Sequence, residues 1–307
     1  MLQPPGFSQY SVLSSLGTLV YYSADDSSTS TQLDETDAST IIAPKKKQSP
    51  LVFLHGFGGG SSAYEWSLVY PAFAHNYSVY APDLLGWGRS EHLTRSYQIQ
   101  DYLTTLTDFL EKVCATAAVV IASSLTAALT VRLAVLRPEL FKALVLVAPS
   151  GLSDFGKPYS SFFSQLVSFP GIDRLIYSTG IASSSGIRNF LTRRQFARAS
   201  RVSQEMIDAY LSSAQQPHAE YSAISFVRGD LCFDLAEYMP QLAVPTAMIW
   251  GKQAQFTSVE LGHRFIELNP RFLKMTVLNG VGLTPQLELP GVTIGLIHQY
   301  LQHFAIP

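Results

Sequence analysis

Charge and sulphur are both scarce in this chain. Of its 307 residues 14% are charged, the formal net charge is -2, and there are two cysteines. With that balance there is no basic stripe or strongly basic domain to meet a phosphate backbone, so nucleic acid is not an expected partner. Cys114 and Cys232 stand far apart without metal-ligand spacing, which argues against a disulfide framework or a zinc site and fits reducing, cytoplasmic surroundings. Long apolar runs are missing too: none is long enough to cross a bilayer, and the opening MLQPPGFSQY lacks the basic start and apolar core of a secretory leader. A soluble protein is expected. What is present, at 47% hydrophobic and 12% aromatic, suffices for a large core in one domain with an inserted sub-domain.

Along the chain, SSLGTLVYYSA (14–24) is rich in β-branched and aromatic residues and predicts one or two early strands. Residues 25–48 are dominated by Ser, Thr and Asp and close on three lysines; they predict a flexible polar loop with a solvated charge patch. Short apolar runs follow at 51–56, 77–83, 118–123 and 143–150, separated by helical patterns such as IQDYLTTLTDFLEKV (99–113). Buried strands alternating with helices mean a parallel sheet of the α/β type. Two more strand patterns, TAMIWG (246–251) and KMTVLN (274–279), come only after a long helical interruption. The expected organisation is a core of residues 1–151 and 240–307 around a helical insertion at 152–239. Open parallel sheets bind ligands at the carboxyl ends of their strands, so functional residues should follow these runs.

They do. HGFGGGSSAYEW (55–66), APDLLGWGRS (81–90), WGKQAQFT (250–257) and GLTPQLELP (282–290) occur in that order. Together they resemble the alpha/beta-hydrolase superfamily, in its branch of lidded esterases, lipases and C–C hydrolases. The resemblance implies an α/β alpha/beta-hydrolase fold: a mostly parallel central sheet flanked by helices, with a helical lid inserted before the last two strands. It also implies a nucleophile in a G-x-S-x-G turn, which here reads ASSLT. Placing Ser124 at the nucleophile puts Ala122 and Thr126 at the glycine positions. Placing Ser123 there puts Ile121 and Leu125 at them, which is sterically worse. A helix N-cap is the plain alternative role for Ser124. The oxyanion donors implied by the resemblance are the backbone amides of Phe57 and Leu125, with His55 orienting the loop.

The rest of the implied triad is replaced. The W-G-x-x-D acid position holds Ala254, and the G-H-x-P-x-x-E-x-P base position holds Leu283. Neither side chain can accept or donate a proton, and a serine hydroxyl is a poor nucleophile without a positioned base. A relocated acid at Asp154 and a relocated base at His218 are the substitutes to look for. The resemblance calls for no cofactor, and no metal site is expected. The sequence therefore predicts a pseudo-hydrolase with a degraded triad that binds an apolar small molecule or a partner. The alternative is a serine hydrolase of the esterase, lipase or C–C type using Ser124 with relocated helpers. Aromatic residues in 158–178 supply apolar surface, either core or pocket lining. Arg194, Arg198 and Arg201 fall on one helical face by spacing: either a solvated face or a contact for a membrane surface or an acidic partner.

Overall fold

The computed structural model describes residues 3–25, 48–159, 177–271 and 273–306. The polar stretch after Asp25 and most of the aromatic stretch 158–178 lie outside the described residues. Eight strands form one sheet in the order β1-β2-β4-β3-β5-β6-β7-β8. They are β1 (Phe7–Ser14), β2 (Gly17–Ala24), β3 (Gln48–Leu54), β4 (Tyr77–Pro82), β5 (Ala118–Ser123), β6 (Phe141–Val147), β7 (Thr246–Gly251) and β8 (Leu273–Leu278). From β4 to β8 every pairing is parallel, while β1 and β2 add an antiparallel edge. Every residue of β5 and β7 is buried, which is why these strands read as unbroken apolar runs.

Helices α1 (Ile99–Val113) and α2 (Ser124–Leu136) pack against each other beside the sheet. The first matches its predicted span, because Gln98 and Asp101 close a reciprocal capping box at its start. In contrast, the strand pattern read at 14–24 corresponds to β2 with only the last residue of β1. Most of β1 is half-exposed and polar along its edge, so periodicity does not announce it.

Between β6 and β7 the chain leaves the sheet near Leu152 and returns at Phe233; the two pair in an isolated bridge, with the Phe233 amide donating to the Gly151 carbonyl (2.8 Å). The intervening segment carries α3 (Ser184–Phe190), α4 (Gln204–Ala214) and α5 (Ala219–Arg228). Turns of π-helix, Tyr177–Ile181 and Leu191–Gln195, flank α3 on both sides. Small residues tie this insertion to the core. Ser213 Oγ donates to the Ser61 carbonyl (3.0 Å) and accepts from the Gly88 amide (3.1 Å), and Ser222 Oγ donates to the Gly86 carbonyl (2.5 Å). Gly60, at φ +89°, lies so close that a Cβ there would stand 2.1 Å from the Tyr210 carbonyl, a position only glycine fills without strain.

The arginine stripe requires a correction. Residues 188–201 are not one helix: Phe196 and Arg198 are extended, between the π-turn and a short 3-10 turn at Ala199–Arg201. Two extended residues reset the angular phase, so the spacing of Arg194, Arg198 and Arg201 no longer defines one face. Arg201 turns inward, donating to Glu288 Oε2 (3.0 Å) and to the Gly280 carbonyl (2.7 Å), whereas Arg194 and Arg198 are exposed. After β7 come α6 (Val259–Leu268), one helical turn at Pro285–Glu288, and α7 (Pro290–His303).

Candidate active site

The sharp turn from β5 into α2 holds Ser124 at φ +56°. For a residue with a Cβ this conformation costs on the order of 1–2 kcal/mol and persists only where the surroundings impose it. Ser124 is thus the first residue of the helix, and the capping position belongs to Ser123, whose side chain makes no cap bond. Ser123 is buried with its hydroxyl unpartnered, and so is Thr126 in the first turn. The strained turn forms with a β-branched residue in place of the expected glycine.

Ser124 lines a small cavity of about 20 Å³ at the carboxyl end of the sheet. Phe57, Phe190 and Leu283 supply its apolar wall, and Glu65, Gln195 and Thr284 its polar one. Such a volume holds roughly one water-sized group. Phe57 lines the cavity itself, while Leu125 is buried in the first turn of α2, where helix geometry leaves its amide without an intrahelical acceptor. His55 accepts from the Leu84 amide at Nε2 (3.0 Å), so its proton is on Nδ1, facing the Gly56 carbonyl (2.7 Å). Burial lowers its pKa to about 4. It is a neutral brace for the loop.

The loops that would carry an acid and a base meet: a Cβ on Gly251 would lie 1.9 Å from the Gly282 carbonyl. Their side chains at the two positions are Ala254, packed against the core, and Leu283, in the cavity. The Leu283 amide donates to the Gln195 carbonyl (2.8 Å), pinning that loop to the insertion. None of the seven histidines lines the cavity. His218 is exposed at the start of α5, near Tyr221. Asp154 accepts from Ser150 Oγ (2.5 Å) and from the amides of Gly151 and Leu235 (3.0 Å each), which spends its carboxylate on closing the base of the insertion.

Glu65 is the site residue that sequence reading missed. Its carboxylate is wholly buried and accepts three hydrogen bonds: Gly56 amide to Oε2 (2.9 Å), Ser61 Oγ to Oε1 (2.6 Å) and Tyr210 hydroxyl to Oε1 (3.1 Å). Gln195 Nε2 extends the chain, donating to Tyr210 (2.8 Å) and Thr284 Oγ1 (3.4 Å). Burial pushes the Glu65 pKa up, against the pull of its three donors. A signal did exist, since Glu65 is the only Asp, Glu, Lys or Arg between Leu51 and Ala74. Among the described residues, no cluster of His, Cys, Asp or Glu is suited to a metal, and no helix is long and apolar enough to cross a membrane.

A parallel sheet with a strained serine between strand and helix, facing a glycine-rich loop, defines a hydrolase-type architecture. The model of the alpha/beta hydrolase family matches residues 51–292, and the chain belongs to that family. It is 28% identical over 258 residues to the hydrolase YugF of Bacillus subtilis (strain 168), covering 83% of this chain and 89% of that one. To the 2-hydroxy-6-oxo-6-(2'-aminophenyl)hexa-2,4-dienoic acid hydrolase of Metapseudomonas resinovorans it is 25% identical over 230 residues, covering 72% and 73%. The solved structure of epoxide hydrolase CorEH superposes with a TM-score of 0.76 at 19% identity, covering 96% of this chain and 99% of that one. At that identity the likeness is one of fold.

Proposed function

We propose that this hydrolase-fold protein binds a small apolar ligand against the Ser124 cavity, seating one water-sized group of it inside, and does not turn it over by a Ser-His-Asp triad. One observation carries the reading: Leu283, at the position of the base, stands in the cavity that Ser124 lines. Without a base, a serine protease-type site loses about 10^6 in turnover, equivalent to roughly 8 kcal/mol of barrier. The apolar wall of Phe57, Phe190 and Leu283 sets the ligand class. The insertion acts as a lid, with α3 between two π-helical turns, and such turns recur at functional sites.

A second reading, a Ser124-dependent hydrolase acting on ester or C–C bonds with a relocated acid and base, is favoured by the strained Ser124 backbone alone. An organophosphonate probe separates the two. The binding reading predicts an unlabelled protein by intact-mass spectrometry, and a stoichiometric adduct on Ser124 contradicts it. Arg194 and Arg198 are two of the exposed cations that the insertion offers to an acidic partner or membrane surface.

A further inference from the structure

Gly56 forms the floor of the cavity, and polar groups converge above it. Ser123 Oγ, Glu65 Oε2 and Ser124 Cβ stand 3.3, 3.5 and 3.5 Å from the point where a Cβ on Gly56 would be. Ser123 is 2% exposed, and its buried hydroxyl has no partner. A carboxylate oxygen has two acceptor positions. Both are filled on Glu65 Oε1, by Ser61 and Tyr210, and one is filled on Oε2, by the Gly56 amide. Ser123 with its idle hydroxyl and Glu65 with the remaining acceptor position on Oε2 both line the one water-sized space whose apolar wall is Phe57, Phe190 and Leu283.

A group that satisfies both must accept one hydrogen bond and donate another. A hydroxyl does so: its oxygen takes the Ser123 proton and its own proton goes to Glu65 Oε2. A carboxylate only accepts. It would place an anion beside a buried carboxylate on which no basic side chain acts, an arrangement that low-dielectric surroundings penalise heavily. We propose that the space over Gly56 is a hydroxyl-binding site, which takes the head of an apolar alcohol and rejects the corresponding carboxylate. This rests on the binding reading above and gives its ligand a head group.

The test is calorimetric titration of the full chain with 1-octanol and with octanoate at about pH 7.5. The expected result is a dissociation constant for the alcohol lower by about tenfold or more, equivalent to about 1.4 kcal/mol. In Glu65→Gln, which removes the charge and keeps the shape, the two constants should converge to within about threefold. Gly56→Ala, whose methyl would meet its neighbours at 3.3 Å or beyond, fills the space and should abolish alcohol binding. Octanoate binding as tightly as octanol to the unmodified protein overturns this inference and leaves the binding reading intact. A preference that survives Glu65→Gln overturns the assignment to Glu65. Failure of both probes to bind at millimolar concentration overturns the hydroxyl site and the binding reading together. The comparison in the unmodified protein stands even if a variant does not fold.

Discussion

Ser124 and Leu283 line one cavity, and in the proposed reading the first holds the nucleophile position and the second, a hydrocarbon, that of the base. The loops beneath Ala254 and Leu283 are in contact, so in that reading they are the frame on which an acid and a base can be placed. Ala254→Asp combined with Leu283→His should therefore create ester hydrolysis, by about 10^2-fold or more above the unmodified chain with a short chromogenic ester. An unchanged rate in a folded double variant would mean that the Thr126-bearing turn has moved the Ser124 hydroxyl out of line.

Strain at the same turn is measurable separately. Because Ser124 sits at φ +56°, Ser124→Gly should stabilise the fold by up to about 1 kcal/mol, the relief of left-handed strain exceeding glycine's entropic cost. The urea midpoint is the readout, and a lower midpoint than that of the unmodified protein contradicts the assignment.

The inward turn of Arg201 separates it from its neighbours. Arg201→Ala leaves the fully buried Glu288 carboxylate without its cation and should cost about 3 kcal/mol. Arg194→Ala and Arg198→Ala, at exposed positions, should each stay within about 0.5 kcal/mol. Denaturation of the three variants side by side distinguishes this from a shared charged face, which predicts similar small effects.

Buried carboxyls, Asp83 and Glu65 among them, make stability depend on pH in an unusual direction. Burial raises the pKa of Asp83 to about 6 and raises that of Glu65, so the folded protein holds these protons more tightly than the unfolded chain. Their stabilising contribution is full below the ordinary carboxylate range and is lost as pH rises through the folded values, about 6 for Asp83. For Asp83 the loss is on the order of 3 kcal/mol. Unfolding free energy should thus contain a share that falls between about pH 4 and about pH 7, and Glu65→Gln should flatten the profile. A variant profile as steep as that of the unmodified chain would contradict the placement of Glu65.

Much of this was legible in the residues. Apolar runs located β3 to β8, although β8 at the sheet edge is only partly buried, and the motif spacing that singled out Ser124, Ala254 and Leu283 carries into the proposed function. What stayed hidden depends on tertiary contact. β1 is an edge strand with a polar face, and the Arg194–Arg201 pattern looked helical because extended residues in its middle leave no mark on spacing. Glu65 escaped because its meaning comes from Ser61, Gly56 and Tyr210, the last of which lies far along the chain in α4. His218 and Asp154, proposed as relocated helpers, were chosen by sequence position. One is exposed on α5, and the other is engaged at the base of the insertion.

The most direct measurement is hydrolysis of chromogenic esters from acetyl to long acyl by the purified chain and by Ser124→Ala in parallel. A cavity with Ser124 but no histidine predicts equal, background rates in both proteins across the panel. Turnover that disappears in the alanine variant would contradict it and establish Ser124 as a working nucleophile.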